Sequence, residues 1–232
     1  MTSLETILFV LRHPLRAYHA LRSDKRFDTR YVYGIENVAP QGPLGHAVVY
    51  HDHQLLRQVL AEVAAVRKIR RALEVGCGYG RVLLVLGELA DEVIGIEREP
   101  ELAATARQLV PDAQIIQQPS IVDLAGIADG SCDFSMTFTV LQHMIDDDVR
   151  QVLAELKRVT AAGGFVLLTE KVAPGDETAH HDDRTRFLSK HRPVAVYERW
   201  MAPFALVSTR PRPAPAAWNR NSGTAMLFQR EA

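Results

Sequence analysis

Three glycines stand at alternate positions in Gly76-Cys77-Gly78-Tyr79-Gly80, directly behind the apolar run Ala72-Leu73-Glu74-Val75. Missing Cβ atoms let a chain turn sharply and let a ligand approach the main chain. N–H groups at the start of a following helix then favour an anionic group such as a carboxylate or phosphate. Glu97 lies 21 residues beyond Gly76, at the end of the run Glu92–Glu97. A carboxylate at the tip of a strand can accept both hydroxyls of a ribose. Glu74 is an acid inside an apolar run, and once buried it needs a ligand or a backbone N–H to satisfy it. A glycine-rich turn alone fits any tight strand-to-helix connection. The spacing is also wrong for a dinucleotide fingerprint: the third glycine, Gly80, comes one place early and Arg81 fills the reserved position.

Histidine is the side chain best suited to move a proton near neutral pH, and nine are present. His143 follows the apolar run Cys132–Phe138 by a few residues. His46, His51 and His53 precede a helical pattern, with Tyr50 beside them, and His180, His181, Asp182 and Asp183 form a second group. His143, His181 and His51 are the candidate bases, each with packing as the plainer alternative. The second group has ligand types that suit a metal, but adjacent residues in an irregular segment read more simply as a solvated loop. Asp146, Asp147 and Asp148 open a helix, and Asp146 or a neighbour is expected to cap it.

These residues need a frame. Leu55, Leu56, Val59, Leu60, Val63 and Val66 recur at helical spacing in a segment starting near residue 51. Short apolar runs then alternate with helical ones: ALEV, EVIGIE, AQIIQQ, CDFSMTF and, after a turn at Gly163 and Gly164, FVLLTE. Five such strands separated by mostly helical segments specify an α/β fold, a doubly wound parallel sheet covered on both faces. Ligands of such sheets lie beyond the carboxyl ends of the strands, which is where the glycine turn falls. FALVSTR and TAMLFQR are joined by a Pro-rich link too short for a crossover helix, so the final strand is expected to be antiparallel.

At 232 residues, 47% hydrophobic and 24% charged, the chain can bury one sizeable core. Residues 1–232 read as one domain: a helical cap and lid over 1–65, a core over 66–232, and a substrate insertion over about 172–199. Within the cap, Leu4, Ile7, Leu8, Leu11, Leu15, Tyr18 and Leu21 predict a helix, split or kinked at Pro14, that packs on the same domain or on a twin subunit. A formal net charge of −1 gives no basic footprint for nucleic acid or an acidic membrane. No apolar run is long enough to span a bilayer. Cys77 and Cys132 sit beside apolar runs and read as reduced, buried thiols, which points to the cytoplasm.

The stretches LEVGCGYGR, VIGIERE, DGSCDFSMTFTVLQHM and LKRVTAAGGFVLLTE, with the closing strand pair, resemble the class I S-adenosylmethionine-dependent methyltransferases over about Val66 to Ala232. The resemblance implies a Rossmann-like, seven-stranded sheet and S-adenosylmethionine as cofactor, with S-adenosylhomocysteine as its product. It places Glu74, Gly76, Gly78 and Gly80 at the methionine end, Glu97 on the ribose and Arg98 beside the adenine. Ser120 and Ile121 stand where the family contacts the adenine, with Asp123 as the alternative. Thr137, Phe138 and Thr139 would follow the fourth strand near the sulfonium, and Tyr50 in the lid would reach the methionine carboxylate. Metal-dependent catechol-type relatives carry an aspartate where this chain has Thr137 and Thr139. Base-methylating and protein-arginine-methylating relatives have motifs after the fourth strand that TFTVLQHM lacks. A small-molecule acceptor remains, walled by aromatics such as Tyr31, Tyr33, Phe187, Tyr197 and Trp200. The expected reaction is O-methylation of a natural product, sugar or other metabolite, with a histidine base. N-methylation is the nearest alternative, and a non-catalytic cofactor-binding protein is the alternative of another class.

Overall fold

The computed structural model describes residues 42–182, 187–213 and 223–232. The predicted N-terminal helix, its subunit contact, and Tyr31 and Tyr33 lie outside them. The first described element, α1 (Gly42–Val66), starts well before residue 51, taking in residues that read as lid or loop. Leu55, Leu56, Val59, Leu60 and Val63 form its buried stripe.

After α1 the chain alternates strand and helix: β1 (Arg71–Val75), α2 (Leu83–Leu86), β2 (Glu92–Glu97), α3 (Pro100–Leu109), β3 (Gln114–Gln117) and β4 (Cys132–Phe138). A short 3-10 turn over Leu141–His143 leads to α4 (Asp146–Val159) and β5 (Thr160–Glu170). Pro100 occupies the first turn of α3, where its missing N–H costs nothing. β5 begins at Thr160, but its pairing with β4 is interrupted before Phe165, with Gly163 at φ 68°, so the expected irregularity at Gly163 and Gly164 lies within the strand.

A hairpin, β6 (Thr178–Asp182) with β7 (Phe187–His191), is followed by α5 (Val194–Met201), β8 (Ala205–Pro211) and β9 (Thr224–Gln229). The segment around His180 and His181 is thus a strand of an antiparallel pair, not the expected irregular loop. Those residues pair with Ser189 and Leu188 through the backbone, an arrangement that a polar composition conceals.

The main sheet has seven strands in the order β3-β2-β1-β4-β5-β9-β8. β1 pairs in parallel with both β2 and β4, so the winding direction reverses at β1. The crevice for a ligand opens at that reversal, beyond the carboxyl end of β1. β9 runs antiparallel to β5 and to β8, as the closing strand pair predicts.

Each face of the sheet buries its own core. Leu55, Leu56 and Leu60 of α1 pack with Phe134, Met136 and Phe165 on one face. On the other, Leu73, Val75 and Ile96 meet Val152, Leu153 and Leu156 of α4. Each fully buried aliphatic side chain stabilises the fold by about 1.5–3 kcal/mol, so a charge at Val152 would detach α4. Asp146 does not cap that helix: Ile145 holds the N-cap position without a side-chain bond. The Asp146 carboxylate instead binds Lys190 Nζ at 2.8 Å and Arg192 Nη2 at 2.7 Å, tying the hairpin to α4.

Candidate active site

A cavity of about 810 Å3 opens at the carboxyl ends of β1, β2 and β4. Its floor is the glycine turn. Gly76 N and Cys77 N donate to Ile96 O at 2.8 and 3.0 Å, which turns the chain off β1 across the end of β2. Gly76, with φ 75°, could not carry a side chain: a Cβ there would lie 2.7 Å from Val140 Cγ2. Gly78, with φ 57°, differs, because a Cβ there would meet nothing within 4 Å and would point into open space. Gly80 faces away from the cavity, against Ala106 of α3.

Glu97, at the tip of β2, is buried but well supplied with donors. Gly78 N reaches its Oε2 at 2.8 Å, and Arg98 N and Glu99 N reach Oε1 at 2.7 and 2.8 Å. A carboxylate has about four acceptor positions, so capacity remains for a ligand hydroxyl. Burial raises its pKa, and the three N–H groups oppose that rise. Glu74 lines the same cavity, with its Oε2 buried and without a hydrogen-bond partner. Burial pushes the Glu74 carboxyl up to about 8; Arg81 pulls it down and Glu97 pushes it further up.

The opposite wall is the segment after β4. Thr139 adopts φ 57°, unusual for a residue with a branched Cβ. Glu170, at the end of β5 and fully buried, holds that segment in place. Its carboxylate accepts from Thr137 Oγ1 and from the N–H groups of Val140, Leu141 and Gln142, each at 3.1 Å. Burial raises the Glu170 carboxyl to about 7, with the four donors opposing it.

His143 stands on the cavity wall at the end of the 3-10 turn. Its Nδ1 lies 2.7 Å from Leu188 O, and a carbonyl only accepts, so Nδ1 carries the hydrogen. Nε2 is then the acceptor, facing Gln142 Nε2 at 3.0 Å. Gln142 is itself fixed through Oε1, which accepts from Lys171 N at 2.9 Å. Burial lowers the His143 pKa to about 4, assisted by Lys171 and His191 and opposed by the bond to Leu188.

A second buried carboxylate closes the lid side. Asp52 of α1 binds Arg81 Nη1 at 2.6 Å and Arg212 Nε at 2.6 Å. Both guanidinium groups stack against Phe138, with 5.0 and 5.2 Å to the ring centre. His53 Nε2 lies 2.8 Å from Arg81 O.

The structure therefore brings Glu74, Gly76, Gly78, Glu97, Arg98, Ser120, Ile121, Phe138, Thr139 and His143 to one cavity. Thr137 is inside β4, turned to Glu170 rather than following the strand. Tyr50 is 60% exposed, and neither it nor His51, whose ring it meets edge-on at 5.5 Å, lines the cavity. His181 belongs to β6, and its side chain, like that of Phe187, lies outside the described residues. Tyr197 and Trp200 join the core beneath α4 instead of walling the pocket. Asp52, Glu170, Gln142 and Leu188 escape sequence reasoning. Only the solitary acid ending FVLLTE gives a signal for Glu170.

A sheet reversing at β1, a glycine turn and a carboxylate at the tip of β2 define a doubly wound fold with a ligand crevice suited to a nucleotide-type molecule. Residues 73–168 match the family model described as a methyltransferase domain. A probable S-adenosylmethionine-dependent methyltransferase of Mycolicibacterium smegmatis is 28% identical over 144 residues, 60% of this chain and 53% of that protein. An uncharacterized methyltransferase of Bacillus subtilis is 25% identical over 172 residues, 69% of this chain and 67% of that protein. The chain spans 53%, 34% and 67% of the first three curated relatives. Among solved structures, the fold is similar to that of a Methanosarcina mazei methyltransferase, with TM-score 0.63 and 16% identity, covering 75% of this chain and 97% of that one. It is also similar to the Burkholderia thailandensis 1,6-didemethyltoxoflavin-N1-methyltransferase solved with its substrate and S-adenosylhomocysteine, with TM-score 0.62 and 17% identity, covering 83% and 92%.

This chain is thus similar over residues 73–168 to a methyltransferase domain, and relatives named as S-adenosylmethionine-dependent support S-adenosylmethionine as the cofactor. Its residues fit that molecule: the unpartnered Glu74 oxygen suits a cationic methionine half, and the open side of Gly78 leaves room for it. No cluster of potential metal ligands occurs among the described residues, nor a helix long and apolar enough to cross a membrane.

Proposed function

We propose that the chain methylates a hydroxyl of a small, largely apolar molecule, with His143 accepting the proton. When bound, S-adenosylmethionine supplies a methyl carbon activated by a positive sulfur, so the protein must align the acceptor, keep water out and remove a proton. Glu97 and Arg98 would hold the ribose and adenine side, and Glu74 with Gly76 and Gly78 the methionine side. Ser120 and Ile121 would border the adenine. Phe138, Val140, Met144 and Leu188 would give the remaining wall its apolar character.

The observation carrying this reading is the neutral His143 imidazole on the cavity wall, with its tautomer fixed by Leu188 so that Nε2 holds the lone pair. Its basicity narrows the acceptor. An aliphatic hydroxyl, about as weak an acid as water, is some six pKa units less acidic than a phenol. That difference adds about 8 kcal/mol to proton removal whatever the base, and burial, which lowers the basicity of His143, leaves little to offset it. A phenolic or enolic hydroxyl, as found on many natural products, therefore suits the site better than a sugar.

One observation favours an amine instead: Nε2 already accepts from Gln142, and a free amine needs positioning more than a base. The deciding experiment offers S-adenosylmethionine with matched phenol, enol, sugar and amine panels and looks for a mass gain of about 14 Da, one methyl in place of hydrogen. Phenol or enol methylation that falls at least a hundredfold in His143→Ala supports the O-methylation reading. Methylation of amines alone, insensitive to His143, replaces it. Cofactor binding with no transfer to any panel favours a silent binding module. The buried free thiols Cys77 and Cys132 and the net charge of −1 fit a reducing cytoplasm and a partner other than nucleic acid. A homodimer through the N-terminal helix remains part of this proposal.

A further inference from the structure

Glu74 is a buried acid with a cavity on one side and few charges around it. From the glycine turn come Cys77 and Tyr79, both neutral at physiological pH, and from its end Arg81. The Arg81 charge is already shared with Asp52 of α1, at 2.6 Å, and His53 of the same helix binds the Arg81 main chain. β2 contributes Glu97, a like charge. β4 contributes Met136, its partner in register, and Phe138, both apolar. An ionised Glu74 would thus sit with one oxygen unsolvated and with no cation of its own, a costly state in a buried position. In the ligand-free protein the carboxyl therefore keeps its proton at neutral pH, in line with a pKa raised to about 8.

S-adenosylmethionine carries a sulfonium, an ammonium and a carboxylate in its methionine half and is a net cation there, whereas S-adenosylhomocysteine keeps the ammonium and carboxylate and is net neutral. We infer that Glu74 distinguishes cofactor from product by charge: it releases its proton to the solvent buffer when S-adenosylmethionine binds and regains one when the thioether product replaces it. The inference rests on the reading that the methionine half lies over the glycine turn. Ionised Glu74 and the sulfonium stabilise each other in a site that has few other charges, and methyl transfer removes that mutual support. Product release is then assisted by uptake of a proton.

Isothermal titration at pH 6.5 in two buffers of different ionisation heat counts the protons exchanged, with no acceptor molecule present. S-adenosylmethionine should release close to one proton and S-adenosylhomocysteine less than half of one. The affinity for S-adenosylmethionine should tighten up to about tenfold per pH unit between pH 5.5 and 7, and the affinity for the product much less. Glu74→Gln should bind S-adenosylmethionine without releasing a proton and with the pH dependence flattened. Equal proton counts for the two ligands, no exchange in the wild type, or unchanged release in Glu74→Gln would each overturn the inference. If the variant fails to fold, the comparison of the two ligands on the wild type decides alone. Absence of S-adenosylmethionine binding in the wild type would sink the cofactor reading beneath it, a distinct result.

Discussion

The Glu170 carboxylate accepts the main-chain N–H of Gln142 at 3.1 Å, and the side chain of Gln142 in turn meets the His143 ring at 3.0 Å. One acid at the end of β5 therefore fixes the backbone of the segment after β4 and, through a single residue, the imidazole on the cavity wall. Glu170→Gln keeps the volume but puts an NH2 group where an acceptor is needed by at least one of four donors. A buried donor left without a partner costs about 1–3 kcal/mol. Unfolding in urea should show a loss of that size. Turnover should fall about tenfold or more while the dissociation constant for S-adenosylmethionine moves less, because the segment carries the proposed base, His143. Equal losses in both would assign Glu170 a general structural role.

Asp52 joins three parts of the chain that sequence keeps far apart: α1, the end of the glycine turn, and the residue after β8. Its side chain is fully buried between Arg81 and Arg212. Removing one partner of a buried ion pair leaves the other charge uncompensated and costs about 3–5 kcal/mol. Asp52→Ala should lose stability on that scale and weaken S-adenosylmethionine binding, since Arg81 lines the cavity. Differential scanning calorimetry and a binding titration measure the two effects.

The sheet was legible because its strands are short apolar runs at regular intervals; Cys132–Phe138 is a strand with the bounds its hydrophobicity suggests. The turn at Gly76 to Gly80 and the acid at Glu97 were legible for a similar reason, since local spacing and end of strand fix both. What escaped depends on contacts between distant segments. Asp52 looks like any polar residue on a helix until Arg212, 160 positions away, binds it. His180 and His181 read as loop because their strand is specified by pairing with Ser189 and Leu188, not by alternation of apolar residues. Asp146 has the composition of a cap, but a basic pair on β7 and just beyond it claims its carboxylate. A position in the lid places Tyr50 near the cofactor in sequence, but which way a helix turns its residues depends on what packs beneath it, and Tyr50 faces outward.

His143 makes a directional prediction about acid stability. Its pKa in the fold is about 4, below the 6.5 of a free imidazole, so between those values the unfolded chain binds the extra proton. Stability linked to this group is fully present above pH 6.5 and is lost as pH falls toward 4, by up to about 3 kcal/mol. His143→Gln, which does not titrate there, should flatten that part of the profile of unfolding free energy against pH. Glu74 acts with the opposite sign. Its folded pKa of about 8 lies above the ordinary 4.5, so its ionisation in the fold destabilises the ligand-free protein as pH rises from about 4.5 to 8. Glu74→Gln should therefore melt higher than the wild type at pH 8, with the difference vanishing near pH 5.

Gly76 and Gly78 look alike in sequence and should fail in different ways. A Cβ at Gly76 would press on Val140 at 2.7 Å in a left-handed backbone, so Gly76→Ala should destabilise the fold by about 1–3 kcal/mol. A Cβ at Gly78 meets open space, so Gly78→Leu should pay only for its backbone conformation, about 1 kcal/mol, while its side chain occupies the ligand's place. The expected result for Gly78→Leu is a folded protein with S-adenosylmethionine affinity reduced at least tenfold. Glu97→Ala should match it in affinity through a different cause, because it removes the proposed ribose acceptor and frees the N–H of Gly78. A binding titration paired with a urea unfolding curve separates the three variants, and unchanged affinity in both Gly78→Leu and Glu97→Ala would move the cofactor out of this cavity.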